Sequence, residues 1–413
     1  MKKTAAFAAA LIACAACSAS EKLALEKCWE LARENYPAIR QFDLIKRTAN
    51  FTIENAQTKY LPQLSASANA VYLSDSPAVM GNSAVPQDQY HMQLTATQVI
   101  WDGGNISAQN KITAAQAKAE LENNEVALYA LKARVNRLFF GILLQTESLR
   151  QNEILQSDIR EAIAQVKSQI SHGVANDYDL SMLEVELLRA KQDYTATQSN
   201  RDAYLEMLSK FVGRAVADAA ELETPAFPKD NNGAIARPEL NWYAAGEDVF
   251  DARREAVNAS LMPQIGLFGV AGYGKSNFDI SDNRFDFYGL VGIQVSVSFG
   301  NWYTEQSEKI RLIDEKRKIS VARDTFIFNT SLDASQRSRD VDKYSKLLAA
   351  DAEIIRLREN IKNASAARLK NGIITSRDYI KDLNAYDCAA QDFIFHKIQK
   401  LSSAYDKKFI TNN

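Results

Sequence analysis

Eight consecutive residues, Gly269-Val270-Ala271-Gly272-Tyr273-Gly274-Lys275-Ser276, have the spacing of a phosphate-binding loop: a glycine, four residues, then Gly-Lys-Ser. In such a loop backbone amides cradle the phosphates, and a helix begins at the Lys-Ser so that its N-terminal dipole faces the anion. Here the next residues are Asn277-Phe278-Asp279-Ile280-Ser281-Asp282-Asn283, which is turn chemistry leading to another strand. The match is read as a glycine-rich strand, and an exported ATPase would rest on it alone. Other chemistry-bearing residues are scattered. His91, His172 and His396 lack metal-ligand spacing, and no serine stands in a nucleophile elbow. Acidic residues on the helical stretches read as solvated coiled-coil faces. No catalysis, cofactor or metal is expected.

Of the four cysteines, only Cys28 and Cys388 lie beyond residue 20, too few for a disulfide framework. Helix lengths separate them by far more than the roughly 7 Å between alpha carbons that a disulfide allows, so both are expected to stay unpaired. A formal net charge of -2 on 413 residues provides no basic field for nucleic acid. Residues 1–20 read as a secretory signal, with Lys2-Lys3, an apolar run from Ala5 to Ala16, and Ser18-Ala19-Ser20. Simple cleavage after Ala19 or Ser20 is the favoured reading. Leu11-Ile12-Ala13-Cys14 also resembles a lipobox, which would make Cys14 a lipidated first residue. No later stretch is apolar enough for a membrane helix, so a membrane crossing would have to be made by strands.

Four segments have that character, at about 64–73, 89–101, 264–274 and 286–299. Leu64, Ala66, Ala68, Ala70 and Tyr72 alternate with Ser65, Ser67 and Asn69. Tyr90, Met92, Leu94 and Ala96 alternate with His91, Gln93, Thr95 and Thr97, and Val291, Ile293, Val295 and Val297 with Gln294, Ser296 and Ser298. Each is about the nine to eleven residues of a tilted transmembrane strand, with one face for lipid and one for water. A half-buried soluble strand alternates in the same way, which leaves a periplasmic coiled-coil scaffold as the alternative. Nothing else in the chain offers a face to bury those apolar residues. Four strands cannot close a barrel, for which about eight is the minimum, so the strands would be pooled between copies; three copies would give twelve.

The helical stretches are long. Roughly 69 residues run from Gly104 to Gly173 without proline, about 104 Å as one helix. Leu131, Val135, Leu138, Ile142, Leu149, Leu155, Ile159, Ile163, Val166 and Ile170 form its coiled-coil stripe. A return helix runs from Asp177 to about Gly213, and another from about Pro37 to Tyr60 leads into the first strand. The second half repeats the scheme, from about Trp302 to Lys370 and from Thr375 to Ile410. Leu61-Pro62-Gln63-Leu64 recurs as Met262-Pro263-Gln264-Ile265, and Gly173-Val174 as Gly372-Ile373. This is an internal duplication, residues 21–220 and 241–413, with 221–240 as the linker, where Pro225, Pro228, Gly233 and Pro238 cluster. Ser74 to Asp88 and Lys275 to Arg284 read as hairpin loops. Trp101 and Trp302 stand at strand-to-helix junctions, as a membrane-interface belt or ordinary packing would place them.

The order and spacing of several segments resemble outer membrane efflux proteins of the TolC type. These are Leu23-Ala24-Leu25-Glu26 leading to Ala32-Arg33-Glu34-Asn35-Tyr36-Pro37, Ala56 to Leu64, Gln98-Val99-Ile100-Trp101-Asp102-Gly103-Gly104, and Gly372 to Asp378. The likeness covers essentially the whole mature chain. It implies a mainly α fold with membrane β: a homotrimer with a twelve-stranded transmembrane β-barrel in outer membrane lipid and a coiled-coil α-helical barrel in the periplasm. It also implies a passive exit duct of a tripartite efflux or type I secretion system. Such a duct takes drugs, small molecules or proteins from an inner-membrane efflux pump or ABC transporter through a periplasmic adaptor. Gly173, Val174, Gly372 and Ile373 would then form the adaptor-contacting tip. In the family, acidic residues six and nine positions after the second-turn glycine ring the tunnel mouth. Here those positions hold Asp378 and Lys381, with Asp382 adjacent, so Asp378 and Asp382 are the expected constriction and Lys381 departs from the pattern. Carboxylates facing one another on a threefold axis would repel anions, bind cations and raise one another's pKa.

Overall fold

A computed structural model of the protein describes residues 22–75, 78–79, 83–84, 86–228, 234–275 and 284–412. The residues read as a secretory signal, Cys14 among them, lie outside the described residues, as do Ser276 to Asn283. In chain order the elements are α1 (Leu25–Asn35), α2 (Gln41–Gln57), β1 (Gln63–Tyr72), β2 (Ala78–Val79), β3 (Ser83–Ala84) and β4 (Asp88–Trp101). Beyond them lie α3 (Asn105–Tyr129), α4 (Leu131–Ser171), α5 (Asp177–Val212), α6 (Pro238–Ala259), β5 (Gln264–Lys275), β6 (Phe285–Ser296), α7 (Gly300–Lys370) and α8 (Ser376–Thr411). Single 3-10 turns at Pro37–Arg40 and Thr58–Tyr60 bracket α2. Among the described residues no helix is long and apolar enough to cross a membrane.

The stretch read as one helix from Gly104 is divided into α3 and α4 at Ala130. That residue keeps helical dihedrals, φ -61° and ψ -19°, and its amide still donates to the Val126 carbonyl at 3.1 Å, so the helical path continues through it. The last strand also ends earlier than its alternation suggested, at Ser296, because Phe299 already turns the chain into α7. Within the stretch read as a linker, Leu222 is buried and bridges to Leu23, and Pro238 opens α6, where its missing N–H costs nothing.

The chain divides into two units. One comprises Met1–Ile39, Val126–Arg237 and Phe326–Asn413, and is helical. Its first core joins Leu25 and Cys28 of α1, Val135, Phe139 and Ile142 of α4, and Leu208 of α5. A second core, nearer the hairpin turns, joins Ile159 and Val166 of α4, Leu183 of α5, Leu369 of α7, and Tyr379 and Leu383 of α8. The periodic apolar stripe of α4 supplies both, since residues three and four apart share a helix face. Polar ties cross the same bundle: Lys362 to Asp158 at 2.9 Å, Gln151 to Asp387 at 3.0 Å, and His396 to Asp351 at 2.7 Å.

The other unit, Arg40–Glu125 and Pro238–Thr325, holds the main sheet with α2, α3, α6 and the start of α7. Here α6 carries ion pairs to both neighbours: Asp248 to Lys118 and Glu255 to Lys111 on α3, and Asp251 to Lys316 and Glu247 to Arg323 on α7. Asp102, buried just past β4, caps α3: its carboxylate accepts from the amides of Gly104 and Ile106 and from the Tyr60 hydroxyl.

Cys28 and Cys388 are both free, Cys28 buried in the first core and Cys388 exposed on α8. Burial pushes the Cys28 thiol up to about 12, which leaves almost no thiolate at neutral pH. In the folded protein Cys388 should therefore react with a maleimide while Cys28 stays silent until the chain is unfolded. Peptide mass spectrometry distinguishes the two, and equal native reactivity would contradict this packing.

Candidate functional site: an open sheet and two interlocked turns

The sheet has the order β1-β4-β5-β6, antiparallel throughout, so among the described residues β1 and β6 are unpaired edges. Register sorts the side chains onto two faces. Leu64 pairs with Ala96, Ala66 with Leu94, and Ala68 with Met92; Met92 pairs with Tyr273, Leu94 with Ala271, and Ala96 with Gly269. Tyr273 then meets Phe287, Gly269 meets Val291, and Leu267 meets Ile293. Direct cross-strand partners lie on one side of the sheet, so this face is apolar across all four strands. It is also bare, with Val291 86% exposed and Phe287 80%.

Rings gather at the loop end of that face. Tyr273 stacks on Phe285 at 5.7 Å and lies tilted against Phe287 at 4.6 Å, and Tyr90 lies 6.2 Å from Phe285. Sequence reading missed this cluster, because its members sit on three strands and only the register unites them. Asp88 and Lys275, paired at 2.6 Å, close the apolar band. At the opposite end, Trp101 is the last residue of β4, and Trp302, early in α7, meets Phe299 edge to face at 5.2 Å.

The other face carries Ser65, Ser67 and Asn69 against Thr95, Gln93 and His91. Two aromatic side chains lie on it, each over a glycine of the adjacent strand. A Cβ on Gly292 would stand 2.7 Å from the Phe268 ring, and one on Gly272 2.3 Å from Tyr288, whose hydroxyl reaches Gln93 at 3.3 Å. The glycines of β5 and β6 thus make room for rings. Gly269 to Lys275 form the interior and end of β5, paired with β4 and β6, and Lys275 is engaged by Asp88. A phosphate cradle needs free amides at a strand-to-helix turn, which this ladder is not.

The helical unit ends in two turns of one construction. After α4 the amides of Gly173 and Val174 donate to Ile170 and Gln169; after α7 those of Gly372 and Ile373 donate to Leu369 and Arg368. This is the Schellman pattern, and the glycines take φ of 74° and 68° as it requires. Next come the caps: Asn176 accepts from the Asp179 amide, and Thr375 accepts from the Asp378 amide while Asp378 reaches back to Thr375. The turns also interlock. Gln169 donates to the Leu369 carbonyl at 2.6 Å, and the Asp179 carboxylate accepts from the Ser376 amide at 3.2 Å. A Cβ on Gly372 would lie 3.1 Å from Val174. Val174 and Ile373 project outward, 65% and 69% exposed.

The acidic residues expected at a constriction have partners within the chain. Hydrogen bonds from the Thr375 hydroxyl and amide hold the Asp378 carboxyl below the usual carboxylate range, whereas mutual repulsion in a ring would raise it. Asp382, one turn on, accepts from the hydroxyl of Ser365 on α7. Lys381 between them is exposed. Asp179 was not singled out in the sequence, yet it stands six residues after Gly173 as Asp378 stands six after Gly372, and that equal offset was readable.

With this geometry in place, comparison with known proteins is informative. Residues 29–214 match the family model of the outer membrane efflux protein. Solved structures share the fold across 94% of this chain. They include the outer-membrane channel OprN (TM-score 0.71, 12% identity, 90% of that chain), Campylobacter jejuni CmeC (0.68, 14%, 85%) and the open state of Neisseria gonorrhoeae MtrE (0.66, 15%, 89%). No curated protein sequence matches the chain.

Two substitutions test the turns. Gly372→Val should cost about 1–2 kcal/mol from the left-handed backbone alone, before its contact with Val174, and Thr375→Ala about 1 kcal/mol through the lost cap. Hydrogen exchange should show faster amides at residues 369–378 in both, with the first core unchanged. Unchanged protection in both variants would mean these hydrogen bonds do not hold the turns.

Proposed function

We propose that this chain, with the fold and family match of an outer membrane efflux protein, is a homotrimeric exit duct of a tripartite efflux or type I secretion system. It conducts what an inner-membrane pump or ABC transporter delivers through a periplasmic adaptor, and catalyses nothing. The observation that carries the reading is the sheet: an exposed apolar face, a polar face behind it, and two open edges. In lipid an unpaired backbone edge costs several kcal/mol per group, so the edges have to be satisfied by other copies. Four strands from each of three subunits make a closed barrel of twelve, with Leu64, Met92, Val291 and their neighbours toward lipid and Ser65, Gln93 and Thr95 toward water. A ten-residue strand is about 33 Å long and, tilted by about 40°, rises about 25 Å, the height of an outer-membrane apolar band.

The ring cluster of Tyr90, Tyr273, Phe285 and Phe287 and the pair Trp101 and Trp302 serve as the two interfacial girdles. The helical hairpins line the periplasmic duct, and exposed Phe328, Leu332, Leu357 and Ile361 on α7 pack against neighbouring copies. The turns carrying Gly173, Val174, Gly372 and Ile373 meet the adaptor through the two outward apolar side chains. Asp378 and Asp382 constrict the mouth on this reading. Asp378 would then leave its cap or share it with the lumen, and Lys381 stands where the family's second acidic position falls, with Asp382 adjacent. The like construction of the two turns supports the internal duplication of residues 21–220 and 241–413.

A charge placed on each face tests the orientation. Val291→Lys, on the lipid side near mid-strand, should cost about 2–4 kcal/mol of membrane stability and abolish export of a reporter drug. Thr95→Lys, on the water side, should assemble normally. Equal tolerance of both in the membrane fraction would refute the barrel and favour the soluble scaffold.

A further inference from the structure

Apart from the sheet and the turns, the helical unit contains a pocket of about 130 Å³ between α1, the junction of α3 with α4, and the end of α8, lined by Trp29, Tyr129, Lys132, Lys408, Phe409 and Asn412. Its walls are aromatic. Tyr129 stacks on Phe409 at 4.9 Å, and the Tyr129 hydroxyl donates to the Phe409 carbonyl, which fixes the pair. Trp29 is oriented by its indole N–H, which donates to Asn136 at 2.8 Å.

The charged side chains that line this pocket are Lys132 and Lys408. The Lys132 ammonium lies 4.6 Å from the Tyr129 ring and 5.4 Å from the Trp29 ring. Lys408 lies 5.7 Å from Trp29, and the Arg237 guanidinium stacks 5.1 Å from Phe409 and 5.3 Å from Tyr129. Glu26 lies 3.7 Å from Lys408. Among the described residues no carboxylate pairs with Lys132. An aromatic face attracts an ammonium by its quadrupole but gives its three N–H donors no strong acceptor. Burial first, then Lys408 and Arg33, holds Lys132 below the ordinary lysine range, the mark of a cation lacking a counter-charge.

We propose that this pocket binds a small organic carboxylate, with the anionic group between the ammonium ions of Lys132 and Lys408 and a ring-sized apolar body against Trp29, Tyr129 and Phe409. The volume suits a single ring bearing one carboxyl. Few polar groups converging in an apolar concavity is the usual composition of a ligand site. Three of the six lining residues are aromatic, which suits a ring-bearing monoanion better than a doubly charged inorganic anion. The inference is independent of the export reading, since it needs only the folded helical unit.

The test is equilibrium dialysis of radiolabelled benzoate against the full chain in detergent. Saturable binding of one benzoate per chain is expected, at least tenfold weaker in Lys132→Met and in Lys408→Met. It should be retained in Lys132→Arg and in the distant Lys397→Met, and resist inorganic phosphate at equal concentration. Binding should also weaken at alkaline pH as Lys132 gives up its proton. Thermal unfolding of each variant identifies any that fails to fold, and the remaining lysine variant then decides. Absence of saturable binding to the unaltered protein, undiminished binding to a folded Lys→Met variant, or displacement by equal phosphate would each overturn the proposal.

Discussion

The structure depends on one unsatisfied quantity, the hydrogen-bonding capacity of the backbone along β1 and β6. From His91 to Thr97 the interior strand β4 has partners on both sides, while the edge strands β1 and β6 have a partner on one side alone. In water such edges invite uncontrolled pairing, and in lipid they are too costly to persist. The exposed apolar face adds a second demand of the same sign. On the proposed reading, association of copies in a closed ring would meet both demands together.

The turns answer a different requirement. Two long helical hairpins must end at a defined place, and each does so with a glycine in the left-handed region and then an N-cap. Because Gln169 and Asp179 from one turn satisfy carbonyl and amide groups of the other, the two hairpin ends behave as one piece. A shift of α7 and α8 against α4 and α5 would have to break those bonds, together with Lys362 to Asp158.

Much of this was legible in the sequence because the signals were local and periodic. Alternation at Leu64 to Tyr72 and the three-and-four spacing from Leu131 onward reflect side-chain geometry that a single element fixes. What escaped notice depends on register or on contacts between elements. The aromatic cluster at Tyr273 is invisible without the pairing of β4, β5 and β6, and the glycines of β5 look like defects until Phe268 and Tyr288 are seen to need space beside them. Asp378 shows the converse. A family likeness drew attention to it as a lumen charge, yet its spacing from Thr375 also spelled a capping box, and within the subunit that local bond is the one made. The Gly-Lys-Ser spacing at residue 274 falls at the end of β5, where Asp88 is the partner that Lys275 takes.

The central claim is that the sheet edges are completed by other copies of this chain. Native mass spectrometry of the protein released from outer-membrane detergent extracts measures it most directly. The account expects a complex of three chains that falls apart only when the strands unfold. A folded monomer that keeps its four strands in the membrane would contradict it.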